Sequence, residues 1–139
     1  MILHNACEKI GSHQVKKLPQ EETRIWFGLL KSLRYSLPCP QCKKHYSVYF
    51  GTTPITRVDK EFIQNWLYTL HNQINERNQK PAFPKEELVV YDTIINVSEQ
   101  IAIVHEQMLK AVRQGWSSAN DIQHTIRYLM EMKCFYNLI

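Results

Sequence analysis

Glycine is scarce in this chain, with four residues among 139. Helix formers dominate, and no stretch alternates apolar and polar residues as a strand does, which points to an all-α fold. Internal repeats and low-complexity tracts are also missing. No apolar run approaches bilayer-spanning length, so a membrane is not an expected partner. The opening "MILHNACEKIGSHQVKK" has only a short apolar start before it turns polar and basic. It does not read as a secretion signal, and the expected compartment is cytoplasmic. Long basic runs are lacking too: 17 Lys and Arg against 13 Asp and Glu give +4, spread along the chain. Nucleic acid is therefore not an expected partner.

What is present suits a globular protein. Hydrophobic residues make up 44%, and the length suffices to bury a core without disulfide staples. Residues 20–36 place Ile25, Trp26, Leu29, Leu30 and Leu33 on one helical face, and Pro38 stops that helix. Pro40 suits a first helical position, which makes Cys39 the N-cap of a helix running to about Phe50. Phe62, Ile63, Trp66, Leu67, Leu70 and Ile74 give the cleanest amphipathic pattern, starting from Asp59. A long helix is expected over roughly 85–113, interrupted at Gly115. Ser118 and Asp121 then form a capping signal for a last helix with Ile122, Ile126, Leu129 and Met130 on its apolar face.

Four cysteines are present, and two of them stand three apart in "LPCPQCKKHYSVYF". A thiolate at a helix N-terminus is stabilised by unpaired backbone N–H groups and the helix dipole, and Lys43, Lys44 and His45 add positive charge. Such a pair closes a small disulfide ring and exchanges with other thiols. Two other readings stay open at this point. The cysteines are small apolar residues packed at a helix start, or Cys39, Cys42 and His45 are zinc ligands with His71 or His13 as the fourth. Against zinc, no second tightly spaced ligand pair is visible. Against a thioredoxin-like module, the strands it needs are absent.

A second cluster lies in "WLYTLHNQINERNQKPAF". On a helix, His71, Asn72 and Asn75 share one flank, and Lys80 follows just beyond. These are either a solvated polar face or a site for a ligand with ring atoms, hydroxyls and a phosphate.

Together, "LPCPQC", "WLYTLHNQIN" and "KPAF" resemble the Erv/ALR family of FAD-linked sulfhydryl oxidases, in the style of the short members encoded by large DNA viruses. "ILH" at Ile2 to His4 is similar to the end of the family's opening Trp-x-x-Leu-His motif. The resemblance covers residues 1–92 as a sulfhydryl oxidase core and leaves 93–139 as a helical extension, packed on the core or at a subunit interface. It implies a four-helix FAD-binding bundle with a short fifth helix, to which the extension is added, and a homodimer.

By the same resemblance, Cys39 and Cys42 are catalytic. His4, His71, Asn72, Asn75 and Lys80 contact FAD, with His45 beside the thiols and Tyr91 near the adenine. A substrate thiolate attacks Cys39, the more exposed sulfur, and Cys42 passes the electron pair on. Dioxygen accepts it as hydrogen peroxide. The partners implied are protein thiol substrates or a relay thiol protein, in host cytoplasm or a virion.

Departures from the pattern are also legible. The family's leading tryptophan would fall before Met1. Tyr68 and Lys85 stand where many cellular members carry a structural disulfide, and no shuttle dithiol is evident. Cys7 is expected to be buried, and Cys134 to be a small hydrophobe on the last helix. His105 and His124 read as ordinary helix residues, and Trp116 as the cover of a turn. The alternative function is a non-enzymatic zinc or adaptor protein built on Cys39, Cys42 and His45.

Overall fold

The computed structural model describes residues 2–10, 19–91 and 95–139. These form α1 (Ile2–Cys7), α2 (Pro19–Ser36), α3 (Pro40–Thr52), α4 (Lys60–Arg77), a 3-10 segment (Lys85–Tyr91), α5 (Val97–Arg113) and α6 (Ala119–Phe135). No strand occurs among the described residues, and the all-α expectation holds.

Four of these helices start where the sequence supplies a capping side chain. Cys39 Sγ accepts the Cys42 N–H at 3.3 Å, and Asp59 Oδ1 accepts the Phe62 N–H at 2.8 Å. Asn96 Oδ1 takes the Glu99 N–H at 3.0 Å, and Ser118 Oγ the Asp121 N–H at 3.1 Å. Each removes one of the unpaired donors at a helix start and contributes about 1 kcal/mol. Glu21 and Glu22 begin α2 and Arg34 ends it, in the order that the helix dipole favours.

The expected long helix over 85–113 is divided. Its first part is the 3-10 segment, and α5 begins only after Asn96, which adopts an extended conformation (φ −81°, ψ 93°) to cap it. Leu88 and Ile101 are both buried. The apolar spacing therefore continues across the break, and the pattern alone does not reveal it.

Trp26, Leu29, Leu30 and Ile63 are fully buried at the centre of the core, each stabilising the fold by about 1.5–3 kcal/mol. Helix α2 packs on α3 and α6, while α1 packs on α4 and α5. The α2–α6 contact is polar as well as apolar. Trp26 Nε1 donates to the Tyr136 hydroxyl at 2.8 Å, and that hydroxyl donates to Glu22 Oε2 at 2.6 Å. Thr125 Oγ1 donates to Ser36 Oγ at 2.6 Å and lies 2.8 Å from Ser32 Oγ. Buried hydroxyls are thus satisfied by one another, which fixes the register of α6 on α2.

The inward stripe of α6 is Ile122, Thr125, Leu129 and Met132. Met130, expected on the apolar face, points outward and is exposed. Cys134 is likewise exposed and is no packed hydrophobe, because it lies two residues beyond Met132 and so on the far side of the helix.

Candidate active site

Cys39 and Cys42 open α3, and all four cysteines of the chain are thiols. Pro40 at the first helical position lets Cys39 take the N-cap geometry (φ −124°, ψ 129°). A hydrogen bond from the Cys42 side chain, then the Cys42 backbone N–H, lower the Cys39 pKa. Burial first, and then the hydrogen bond and charge of Cys39, push the Cys42 thiol up to about 11. The two thiols are thus pushed apart, and Cys39 is the one that gives up its proton more readily.

The expectation that Cys39 is the more exposed member needs correction at the residue level. Cys39 is half-buried and Cys42 exposed. Burial is nevertheless the first influence on the Cys42 thiol, while hydrogen bonds come first for Cys39.

Cys39 and Cys42, three residues apart, share one side of α3 and begin two adjacent lines along it. Cys39, Lys43, Tyr46 and Phe50 follow one line. Tyr46 donates to the Leu30 carbonyl of α2, and the Phe50 ring lies 6.1 Å from that of Phe27. Cys42, His45 and Tyr49 follow another line. Tyr49 donates to the Trp66 carbonyl of α4 at 2.7 Å, and the positive charge of Arg77, in the last turn of α4, favours the Cys42 thiolate. Arg77 belongs to no motif recognised in the sequence. Its only signal there is its position in the last turn of the helix that carries His71.

The same half of α4 gathers the second cluster. The His4 and His71 rings are 5.9 Å apart, and Phe83 stacks on His71 at 6.1 Å with planes 12° apart. Asn72 holds this arrangement. Its Oδ1 accepts the Phe83 N–H at 2.8 Å, and its Nδ2 donates to the Phe83 carbonyl at 3.4 Å. Expected only as a ligand contact, Asn72 is engaged in positioning the 81–84 segment.

Helix α4 ends through Gln79 at φ 56°, with the Lys80 N–H donating to the Asn75 carbonyl at 2.7 Å. This left-handed turn aims the chain back along α4. Burial first, with like charge nearby, lowers the His4 pKa to about 4. It also lowers that of His71, where Lys80 contributes. Both imidazoles are neutral at pH 7, and they offer ring faces and one donor each.

Of the remaining expected site residues, Asn75 and His45 are half-buried on α4 and α3, and Lys80 is exposed. Tyr91 ends the 3-10 segment, but its side chain, like His13, lies outside the described residues. Among the described residues no three His, Cys, Asp or Glu side chains form a group able to hold a metal ion, so Cys39, Cys42 and His45 are not assembled as a zinc site.

Cys7 is buried, as expected, with Sγ 3.5 Å from the Lys60 carbonyl and its thiol pushed to about 12 by burial. Such a thiol is inert. Cys134 stands at the opposite end of α6 from its Ser118 cap, about 24 Å along the helix at 1.5 Å per residue. No helix among the described residues is long and apolar enough to cross a membrane.

The family model described as Erv1 / Alr matches residues 2–94. FAD-linked sulfhydryl oxidases from African swine fever virus are similar in sequence. Those of a Kenyan pig isolate and a Namibian warthog isolate are each 31% identical over 90 residues, covering 60% of this chain and 66% of the relative. That of a Malawian tick isolate is 30% identical over the same length. The chain spans just under two thirds of those relatives' length. No solved structure gives a match. The dithiol at the start of α3 and the histidine–asparagine cluster of α4 lie within the matched residues, and the chain belongs to the Erv1/Alr family.

Proposed function

We propose that this protein is an FAD-dependent thiol oxidase that forms disulfide bonds in protein clients, with dioxygen as acceptor and hydrogen peroxide as product. The observation that carries the reading is the joining of two chemistries through α4. Tyr49, two turns after Cys42 on α3, donates to the Trp66 carbonyl of α4 at 2.7 Å, and farther along that same helix His71 stacks with Phe83 and neighbours His4.

The donor set fits FAD. Neutral His4 and His71 with Phe83 offer aromatic surfaces for ring systems, Asn75 offers an amide for hydroxyls, and Lys80 a cation for phosphate. Asn72 and the Gln79 turn hold these groups in place, and Tyr91 completes the set by family pattern. When bound, the flavin supplies the two-electron chemistry that the side chains lack.

The residues of the chain act on sulfur. A client thiolate attacks Cys39 in the Cys39–Cys42 disulfide; that S–S bond breaks, a client–Cys39 disulfide forms, and Cys42 leaves as a thiolate. Two of the causes that keep Cys42 protonated, the hydrogen bond and the charge of Cys39, vanish once Cys39 is bonded to the client. Arg77 then favours the thiolate. A second client thiolate displaces Cys39 and closes the client disulfide, which leaves the dithiol form of the pair. In sum, two client thiols give one disulfide, with two electrons and two protons. By family pattern His45, one turn after Cys42, is a helper near the thiols.

A homodimer, a client or relay thiol protein, and action in host cytoplasm or the virion belong to the same proposal. Absorbance and zinc analysis of the purified protein test it. A yellow protein that releases flavin on denaturation is the expected result. A colourless protein that releases zinc stoichiometrically would replace the oxidase with the zinc-adaptor reading.

A further inference from the structure

The turn between α5 and α6 reaches the dithiol helix. Lys43, one residue after Cys42, donates its ammonium to the Trp116 carbonyl. Lys43 lies one helical turn from Cys39 on the same line of α3, so the Trp116 backbone is within one lysine side chain of the line that starts at Cys39. The turn is fixed at both ends. Gly115 takes φ 77°, the Gly115 N–H donates to Val112 O at 3.0 Å and the Trp116 N–H to Ala111 O at 2.9 Å, and Ser118 caps α6. On this ordered backbone the Trp116 side chain remains 48% exposed. A tryptophan that contributes little to the core, carried on an ordered turn that reaches the dithiol helix through Lys43, is a contact surface of the kind that dominates protein recognition.

We propose that the α5–α6 turn is a client-docking wall beside Cys39, with Trp116 as its specificity-determining residue. This rests on the thiol-oxidase reading and names its substrate class. The occupant is an extended protein segment with an aromatic or aliphatic residue next to its reduced cysteine, packed on the indole, and an acidic residue facing the positive start of α3. Charge complementarity selects the acidic residue, because Lys43 and Lys44 directly follow the dithiol.

The test compares three substrates of purified protein: dithiothreitol, a short dicysteine peptide with phenylalanine and aspartates flanking its cysteines, and the same peptide with alanine flanks. Wild type is expected to oxidise the flanked peptide with a kcat/KM about tenfold above the alanine peptide. Trp116→Ala removes that preference, Trp116→Phe restores most of it, and dithiothreitol turnover stays the same in all three proteins. A Trp116→Ala protein that keeps the preference, or that loses dithiothreitol and peptide turnover by the same factor, overturns the docking wall. Wild-type protein that oxidises none of the three removes the oxidase reading itself and the docking wall with it.

Discussion

Cys39 Sγ accepts the backbone N–H of Cys42 at 3.3 Å, while the Cys42 side chain also bonds back to Cys39. These bonds act in opposite directions on the two thiols, lowering the Cys39 pKa and, together with burial, raising that of Cys42.

Alkylation of the reduced protein should therefore modify Cys39 first, with a pH midpoint below that of an ordinary thiol. In Cys42→Ala the leading cause of the lowering is gone, and the Cys39 midpoint should rise toward the ordinary range. Mass spectrometry of the labelled peptide across a pH series reads both. Preferential labelling of Cys42 would contradict the assignment.

Arg77 is predicted to matter through Cys42. Arg77→Gln removes a positive charge that favours the Cys42 thiolate and should lift the thiol further above its value of about 11. Each unit of such a rise reduces the thiolate population about tenfold at neutral pH. Dithiothreitol oxidation at pH 7 should fall by about tenfold or less and recover as pH is raised, whereas damage to the fold would not be rescued by pH.

Asn72→Ala should release the 81–84 segment. Two hydrogen bonds to Phe83 are lost, about 1–2 kcal/mol together. Urea denaturation should report that loss, and limited proteolysis should cut the segment faster. Flavin retention should fall with it, because Phe83 is no longer held on His71.

His4 should make stability pH-dependent. Its folded pKa of about 4 lies below the unfolded value near ~6.5. Between these values the unfolded chain binds more protons, so stability is full above about pH 6.5, declines as pH falls toward 4, and then levels. The contribution is at most about 3 kcal/mol. Urea midpoints across that window should fall for wild type, and less steeply for His4→Gln.

Proline spacing, capping residues and apolar faces locate α2, α3, α4 and α6 in the sequence, because each signal acts within a turn or two of helix. The dithiol geometry is legible for the same reason, since Pro40 and Cys39 define it locally. The break before Asn96 is hidden by apolar residues that stay in step on both sides of it. Arg77 and the Lys43–Trp116 contact are hidden because they join segments distant in sequence. Asn72 stands out as part of a motif but with an incomplete role, since only the fold shows that the Phe83 backbone engages both ends of its amide. The outward placement of Cys134 and Met130 depends on which stripe of α6 meets α2, and the hydroxyl chain of Ser32, Thr125 and Ser36 decides that.

Oxygen consumption with dithiothreitol as reductant reads electron flow through Cys39 and Cys42, with Cys39→Ala and Cys42→Ala run beside the wild type. Wild type is expected to show steady uptake and hydrogen peroxide formation, and each variant to lose both. Undiminished uptake in both variants would contradict a dithiol mechanism, because electrons would then be reaching oxygen without passing through this pair of sulfurs.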